Sequence, residues 1–170
     1  MDTNQPTPPI VMTIAGSDSG AGAGIQADLK TFAAHNVYGT SILTAVTAQN
    51  TTGVIDVQEL SVTMIAHQIQ AVMEDMHVQA VKTGMLSSSG IITQVVSSLK
   101  QYGVQQLVVD PVMVAKGGDK LLQDEAIQTL KEELLPHALV LTPNIPEAEV
   151  LTGLPIKNNG NDNTIIEIGT

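Results

Sequence analysis

Asp18 and Asp28 flank a glycine-rich turn in Thr13-Ile-Ala-Gly-Ser-Asp-Ser-Gly-Ala-Gly-Ala-Gly-Ile-Gln-Ala-Asp-Leu-Lys30. An apolar strand pattern, Ile10 to Ala15, leads into glycines at Gly16, Gly20, Gly22 and Gly24. A helix pattern follows, with Ile25, Leu29 and Phe32 on one face. A strand, a glycine-rich loop and a helix N-terminus make a pocket for a small polar ligand, because the backbone can come close and the first N–H groups point at it. The spacing does not fit G-x-G-x-x-G, and no G-x-x-x-x-G-K-[ST] occurs, so a dinucleotide site or a P-loop is not expected. Two carboxylates suit a ligand with N–H or O–H donors, or a metal ion, better than a bare phosphate.

Further polar groups follow other apolar runs. These are Thr47-Ala-Gln49-Asn50, Lys82-Thr-Gly84-Met85, Asp110-Pro-Val112-Met113, and Thr142-Pro-Asn144 with Glu147 after it. Singly, each reads as an ordinary turn or strand end. Together they form a rim, since ligands of a doubly wound sheet gather beyond the carboxyl ends of its strands.

The elements that must position this rim alternate along the chain. Strand patterns cover Ile10–Ala15, Thr40–Ala48, Ala80–Lys82, Gln106–Asp110 and Ala138–Leu141. Ser61 is placed to cap a helix with Val62, Ile65, Ile69, Val72 and Met76 inward. Ser88 or Ser89 starts another, with Ile92, Val95, Val96 and Leu99 inward and Gly103 as its stop. Asp124 starts a third, carrying Ile127, Leu130 and Leu134, and Pro136 closes it. Val54–Leu60 alternates weakly, as an edge strand or part of a lid. Short apolar strands between helices predict an α/β fold with a mostly parallel sheet covered on both faces.

Composition narrows the function. The 170 residues suit one domain, and with 2% aromatic content the core must be aliphatic and Met. The net charge is −10, and the seven basic residues are all lysine, which disfavours nucleic acid. No cysteine occurs, so neither a disulfide nor a thiolate is available. No apolar run reaches the length of a membrane span, and residues 1–9 carry no signal-peptide pattern. They read as a disordered lead-in to a single domain over 10–170, with a cytoplasmic location as the expectation. The histidines have no ligand spacing.

The ordered set Ala15-Gly-Ser-Asp-Ser-Gly20, Ala23-Gly-Ile-Gln-Ala-Asp-Leu-Lys30, Thr44-Ala-Val-Thr-Ala-Gln-Asn50, Lys82-Thr-Gly-Met-Leu86, Val109-Asp-Pro-Val-Met-Val-Ala-Lys116 and Leu141-Thr-Pro-Asn-Ile-Pro-Glu-Ala148 resembles the hydroxymethylpyrimidine/phosphomethylpyrimidine kinases of the ribokinase-like superfamily. The resemblance implies a three-layer ribokinase-like fold. It also implies ATP-dependent phosphorylation of 4-amino-5-hydroxymethyl-2-methylpyrimidine, then of its monophosphate, in thiamine diphosphate biosynthesis. By position, Asp28 and Gln49 would bind the pyrimidine, with Ala23, Met85 and Val112 against the ring. Asp110, Asn144 and Glu147 would position phosphate and Mg2+, the metal through Asp110 and Glu147, directly or by way of bound water, with Lys116 following phosphate charge. Family likeness also implies a homodimer. Pyridoxal is the alternative substrate on the same scaffold, and a non-catalytic pyrimidine-binding fragment is the alternative from another class.

One departure stands out. The family's G-T-G-[CD] segment, which supplies an anion hole and the presumed catalytic base, does not occur; Gly169-Thr170 comes too early. The resemblance therefore implies a C-terminally incomplete kinase with no catalytic base within these residues, little activity, and an uncovered sheet edge that lowers stability. Ala21 also stands where the family commonly has glycine, which matters if that position needs φ > 0.

Overall fold

The computed structural model describes residues 7–113 and 122–156. Five strands form a parallel sheet in the order β2-β1-β5-β6-β7. They are β1 (Ile10–Ala15), β2 (Tyr38–Leu43), β5 (Val78–Thr83), β6 (Leu107–Val109) and β7 (Val140–Leu141). The helices are α1 (Gly24–Ala34), α2 (Val62–Asp75), α3 (Ser89–Gln101) and α4 (Asp124–Thr129) between strands, and α5 (Ile145–Thr152) after β7. A separate antiparallel ribbon pairs β3 (Ala45–Gln49) with β4 (Val54–Glu59).

The pleat sorts the sheet's side chains. Met12, Ile14, Ile42, Val81, Leu107 and Val109 share a core with Ile65 and Ile69 of α2, Ile92, Val95 and Leu99 of α3, and Leu130 and Leu134 beyond α4. α1 packs on β1 and β2 from the opposite face, where Leu29 and Phe32 lie over Gly39. Beyond α1 this second face is more open: Val140 of β7 is exposed. Among the described residues, no helix is long and apolar enough to cross a membrane.

The local signals acted largely as their chemistry predicts. Ser61 Oγ accepts the Met64 N–H at 3.2 Å, capping α2. Gly103, at φ +65°, follows α3. Val62 differs from its inward expectation and is exposed, because the buried stripe of α2 runs through Ile65 and Ile69.

Two elements depart from expectation. Thr40–Ala48 is not one strand. β2 ends at Leu43, and Thr44 turns the chain out of the sheet into β3. Thr44 is fully buried and held on three sides: its N–H donates to Ala15 O, its hydroxyl to Met85 O, and its carbonyl accepts the Leu60 N–H. The helix expected from Asp124 to Pro136 is α-helical only to Thr129, then continues as a π turn over Leu130–Leu134 and a 3-10 turn over Leu135–His137. Pro136 cannot donate to the ladder and crowds the carbonyl a turn earlier, so the helix distorts before it stops. Val54–Leu60 supplies β4, whose residues are all exposed.

Candidate active site

Asp18 builds the loop rather than facing a ligand. Its carboxylate accepts N–H groups from Gly20 at 2.8 Å, Gly22 at 2.9 Å and Ala23 at 2.8 Å, and it is buried. Burial alone would raise its pKa, but N–H donors from Gly20, Ala23, Gly22 and Ala21 outweigh that and hold it below the usual carboxylate value. The backbone nest expected to receive a ligand is thus filled by the chain's own carboxylate. Gln26 accepts the Asp18 N–H at 2.7 Å from the other side.

The loop is also sewn to the ribbon. Ser17 Oγ accepts the Thr47 N–H, Thr47 donates its hydroxyl to Ser17 O, and Ser17 N–H donates to Ala45 O. Ser19 Oγ donates to Gln49 O at 2.6 Å and accepts the Gln49 N–H at 2.7 Å. The backbone of Gln49 is therefore held at both ends while its carboxamide has no hydrogen-bond partner among the described residues. Gly24 closes the turn at φ +57°, where an added Cβ would sit 2.4 Å from Gly16 O. Only glycine fits there.

Asp28 lies one turn into α1. Its Oδ2 accepts the Thr13 hydroxyl at 2.6 Å and the Lys82 ammonium at 3.1 Å. The same ammonium lies 3.4 Å from Asp110 Oδ2 at the end of β6. Gly84 makes room for it, since a Cβ there would come within 2.9 Å of Nζ. Asp110 N–H donates to Thr83 O, so its main chain is set by the neighbouring strand. Met85 places its terminal methyl over Gly16, and Met85 and Val112 are half-buried at the same strand ends. Ala23, the residue before α1, is exposed and gives its N–H to Asp18.

Asn144 and Glu147 form a capping box at the start of α5. Asn144 Oδ1 accepts the Glu147 N–H at 2.9 Å, and Glu147 Oε2 accepts the Asn144 N–H at 2.9 Å. Glu147 Oε1 also accepts the Met113 N–H at 3.2 Å, tying the loop after β6 to α5. The Glu147 carboxylate is buried and both oxygens already serve backbone donors. Asp110, about a third exposed, fits magnesium better, because that ion keeps most of its waters and takes one or two carboxylates. Among the described residues no cluster of three metal-ligating side chains occurs. Lys116 lies outside the described residues.

Lys82 thus brings Asp28 and Asp110 together, Met85 and Val112 follow the ends of β5 and β6, and Gln49 and Ala23 are tied to the glycine-rich loop. Sequence reading placed Lys82 on the rim without a role and missed Thr13. The signal was present: Lys82 is the one charge in the strand Val78–Thr83.

Helices on both faces of a parallel sheet, with polar groups beyond its carboxyl edge, define an α/β domain of the kind that binds small molecules at that edge. A family model described as phosphomethylpyrimidine kinase matches residues 18–167, and the chain belongs to that family. The Bacillus subtilis (strain 168) hydroxymethylpyrimidine/phosphomethylpyrimidine kinase is 55% identical over 147 residues, covering 86% of this chain and 54% of that protein. The crystal structure of phosphomethylpyrimidine kinase from Clostridium difficile 630 superposes with a TM-score of 0.84 at 55% identity, covering 88% of this chain and 65% of that one. The Staphylococcus aureus pyridoxal kinase in complex with pyridoxal gives a TM-score of 0.80 at 38% identity, covering 91% of this chain and 57% of that one. The chain spans about half the length of the curated relative from Bacillus subtilis.

Proposed function

We propose that these residues form the pyrimidine-binding part of a kinase that phosphorylates 4-amino-5-hydroxymethyl-2-methylpyrimidine and then its monophosphate, feeding thiamine diphosphate synthesis in the cytoplasm. The observation that carries the reading is the carboxamide of Gln49, unpartnered among the described residues and held by its own backbone, at the strand ends that also carry the Asp28 carboxylate. An amide and a carboxylate match the donor–acceptor edge of an aminopyrimidine. Ala23, Met85 and Val112 supply small and polarisable walls for a flat ring in a chain short of aromatics.

At the other end, Asp110 would take Mg2+, while Asn144 and Glu147 hold the loop beside it and Lys116 answers phosphate charge. ATP, when bound with Mg2+, supplies the phosphoryl group and the charge neutralisation that such transfers need. Residues 10–170 belong to one kinase domain in this reading, preceded by the lead-in over 1–9. A homodimer belongs to the same reading, and the exposed Val46, Val54, Ile55 and Val57 of the β3–β4 ribbon offer a surface for it.

The test is calorimetric titration of the chain with the hydroxymethylpyrimidine, beside Gln49→Ala. Saturable binding that weakens at least about tenfold on substitution supports the reading. No binding by the folded chain overturns it for these residues. The likeness to a pyridoxal kinase makes pyridoxal the second ligand to titrate, and tighter binding of pyridoxal would replace the pyrimidine assignment.

A further inference from the structure

β5 lies between β1 and β6, and its single charge lies between two others. Lys82 is in register with Thr13 on one side and Val108 on the other, on the face that α1 covers. Its ammonium meets Asp28 at 3.1 Å and Asp110 at 3.4 Å, and is about four-fifths buried. We propose that Lys82 is a positioning residue that locks the pyrimidine end of the site, at Asp28, to the phosphate end, at Asp110. This rests on the reading of the site given above.

The physical case is one of charge and room. Two carboxylates directed at one point repel unless a cation stands between them, and partial burial strengthens that repulsion. Lysine is the only strongly basic residue type in the chain, and Lys30 already gives its ammonium to Ala21 O. Gly84 leaves the space that the Lys82 ammonium occupies. Asp28 is held by Thr13 and Lys82 on one oxygen, whereas Asp110 is tied to the site's other end only through Lys82 among the described side chains. A disturbance at Asp110 should therefore reach Asp28 through this ammonium.

The chain has no cysteine, which allows a test at one atom. Lys82→Cys can be alkylated in denaturant and refolded, the thiolate displacing halide. With 2-bromoethylamine it regains an ammonium at lysine length; with iodoacetamide it carries a neutral amide. Each form is titrated with 4-amino-5-hydroxymethyl-2-methylpyrimidine, with and without Asp110→Asn. The ammonium form is expected within about threefold of the unsubstituted chain, and the amide form at least about tenfold weaker. Asp110→Asn should weaken binding in the ammonium form and change nothing in the amide form. Equal affinity of the two forms, or the same Asp110→Asn effect in both, overturns the proposal.

Should the unsubstituted chain bind no pyrimidine, the functional reading fails and Lys82 is judged without ligand. Natively expressed Lys82→Met, which also covers a failure to refold, is then compared by the carboxyl 13C resonances of Asp28 and Asp110 at neutral pH. Displacement of both supports the lock. Displacement of one or neither overturns it.

Discussion

The Thr13 hydroxyl donates to Asp28 Oδ2 at 2.6 Å, from a strand residue with no solvent exposure to a helix residue fifteen positions later. That bond orients the carboxylate before any ligand arrives. Thr13→Val keeps the shape and removes the donor. It should cost about 1 kcal/mol of stability and weaken pyrimidine binding about three- to tenfold. Denaturant unfolding and calorimetry measure the two effects separately, and unchanged affinity would mean that Asp28 is oriented by Lys82 alone.

Ala21 sits at φ +58°, the left-handed region in which glycine would carry no steric cost. Its carbonyl accepts the Lys30 ammonium at 2.8 Å, which holds the strained residue in place. Ala21→Gly should stabilise the chain by up to about 1 kcal/mol, the left-handed penalty less the entropy glycine adds to the unfolded chain. A higher midpoint in urea checks this; a lower one would contradict the strain.

Asp18 makes the loop sensitive to acid. Its folded-state pKa lies below the ordinary carboxylate value because backbone N–H donors outweigh its burial. Its contribution is therefore fully present above about pH 4 and is lost as the pH falls through the lower folded value. Asp18→Asn should be destabilised by more than about 1 kcal/mol at neutral pH, with the gap to the unsubstituted chain closing toward strong acid. Urea unfolding of both forms from neutral pH downward measures it, and a gap that stays constant with pH would contradict it.

Glu147→Gln places an amide where two backbone N–H groups now meet carboxylate oxygens. One of the two would face a donor instead of an acceptor. The loss should be about 1–3 kcal/mol, with faster amide exchange at Met113 or Asn144. Unchanged exchange at both positions would show that the box is dispensable.

Much of the frame was legible because the deciding forces were local. Ser61, Gly103 and the alternation of apolar strands with helical stripes act within a few residues of themselves. The break at Thr44 was not legible, since the partners that hold it, Ala15, Leu60 and Met85, are distant in sequence. The same limit applied to the acids. Asp18, Asp28 and Glu147 were all visible as carboxylates, but whether a carboxylate faces a ligand or the chain's own N–H groups depends on tertiary approach. Asp18 and Glu147 turned inward to the backbone, and Asp28 found Lys82 from another strand. Asn144 and Glu147 stand three residues apart, and the capping box gives that spacing its local cause.

The stitches from Ser17 and Ser19 to Thr47 and Gln49 each span thirty residues of sequence. A contact of that range cannot form while the chain between is still being made. During synthesis the loop must wait, open, until β3 has cleared the ribosome. Its order therefore records the arrival of a distant ribbon, and slow translation through that interval would prolong the time its unpaired backbone is exposed to other chains.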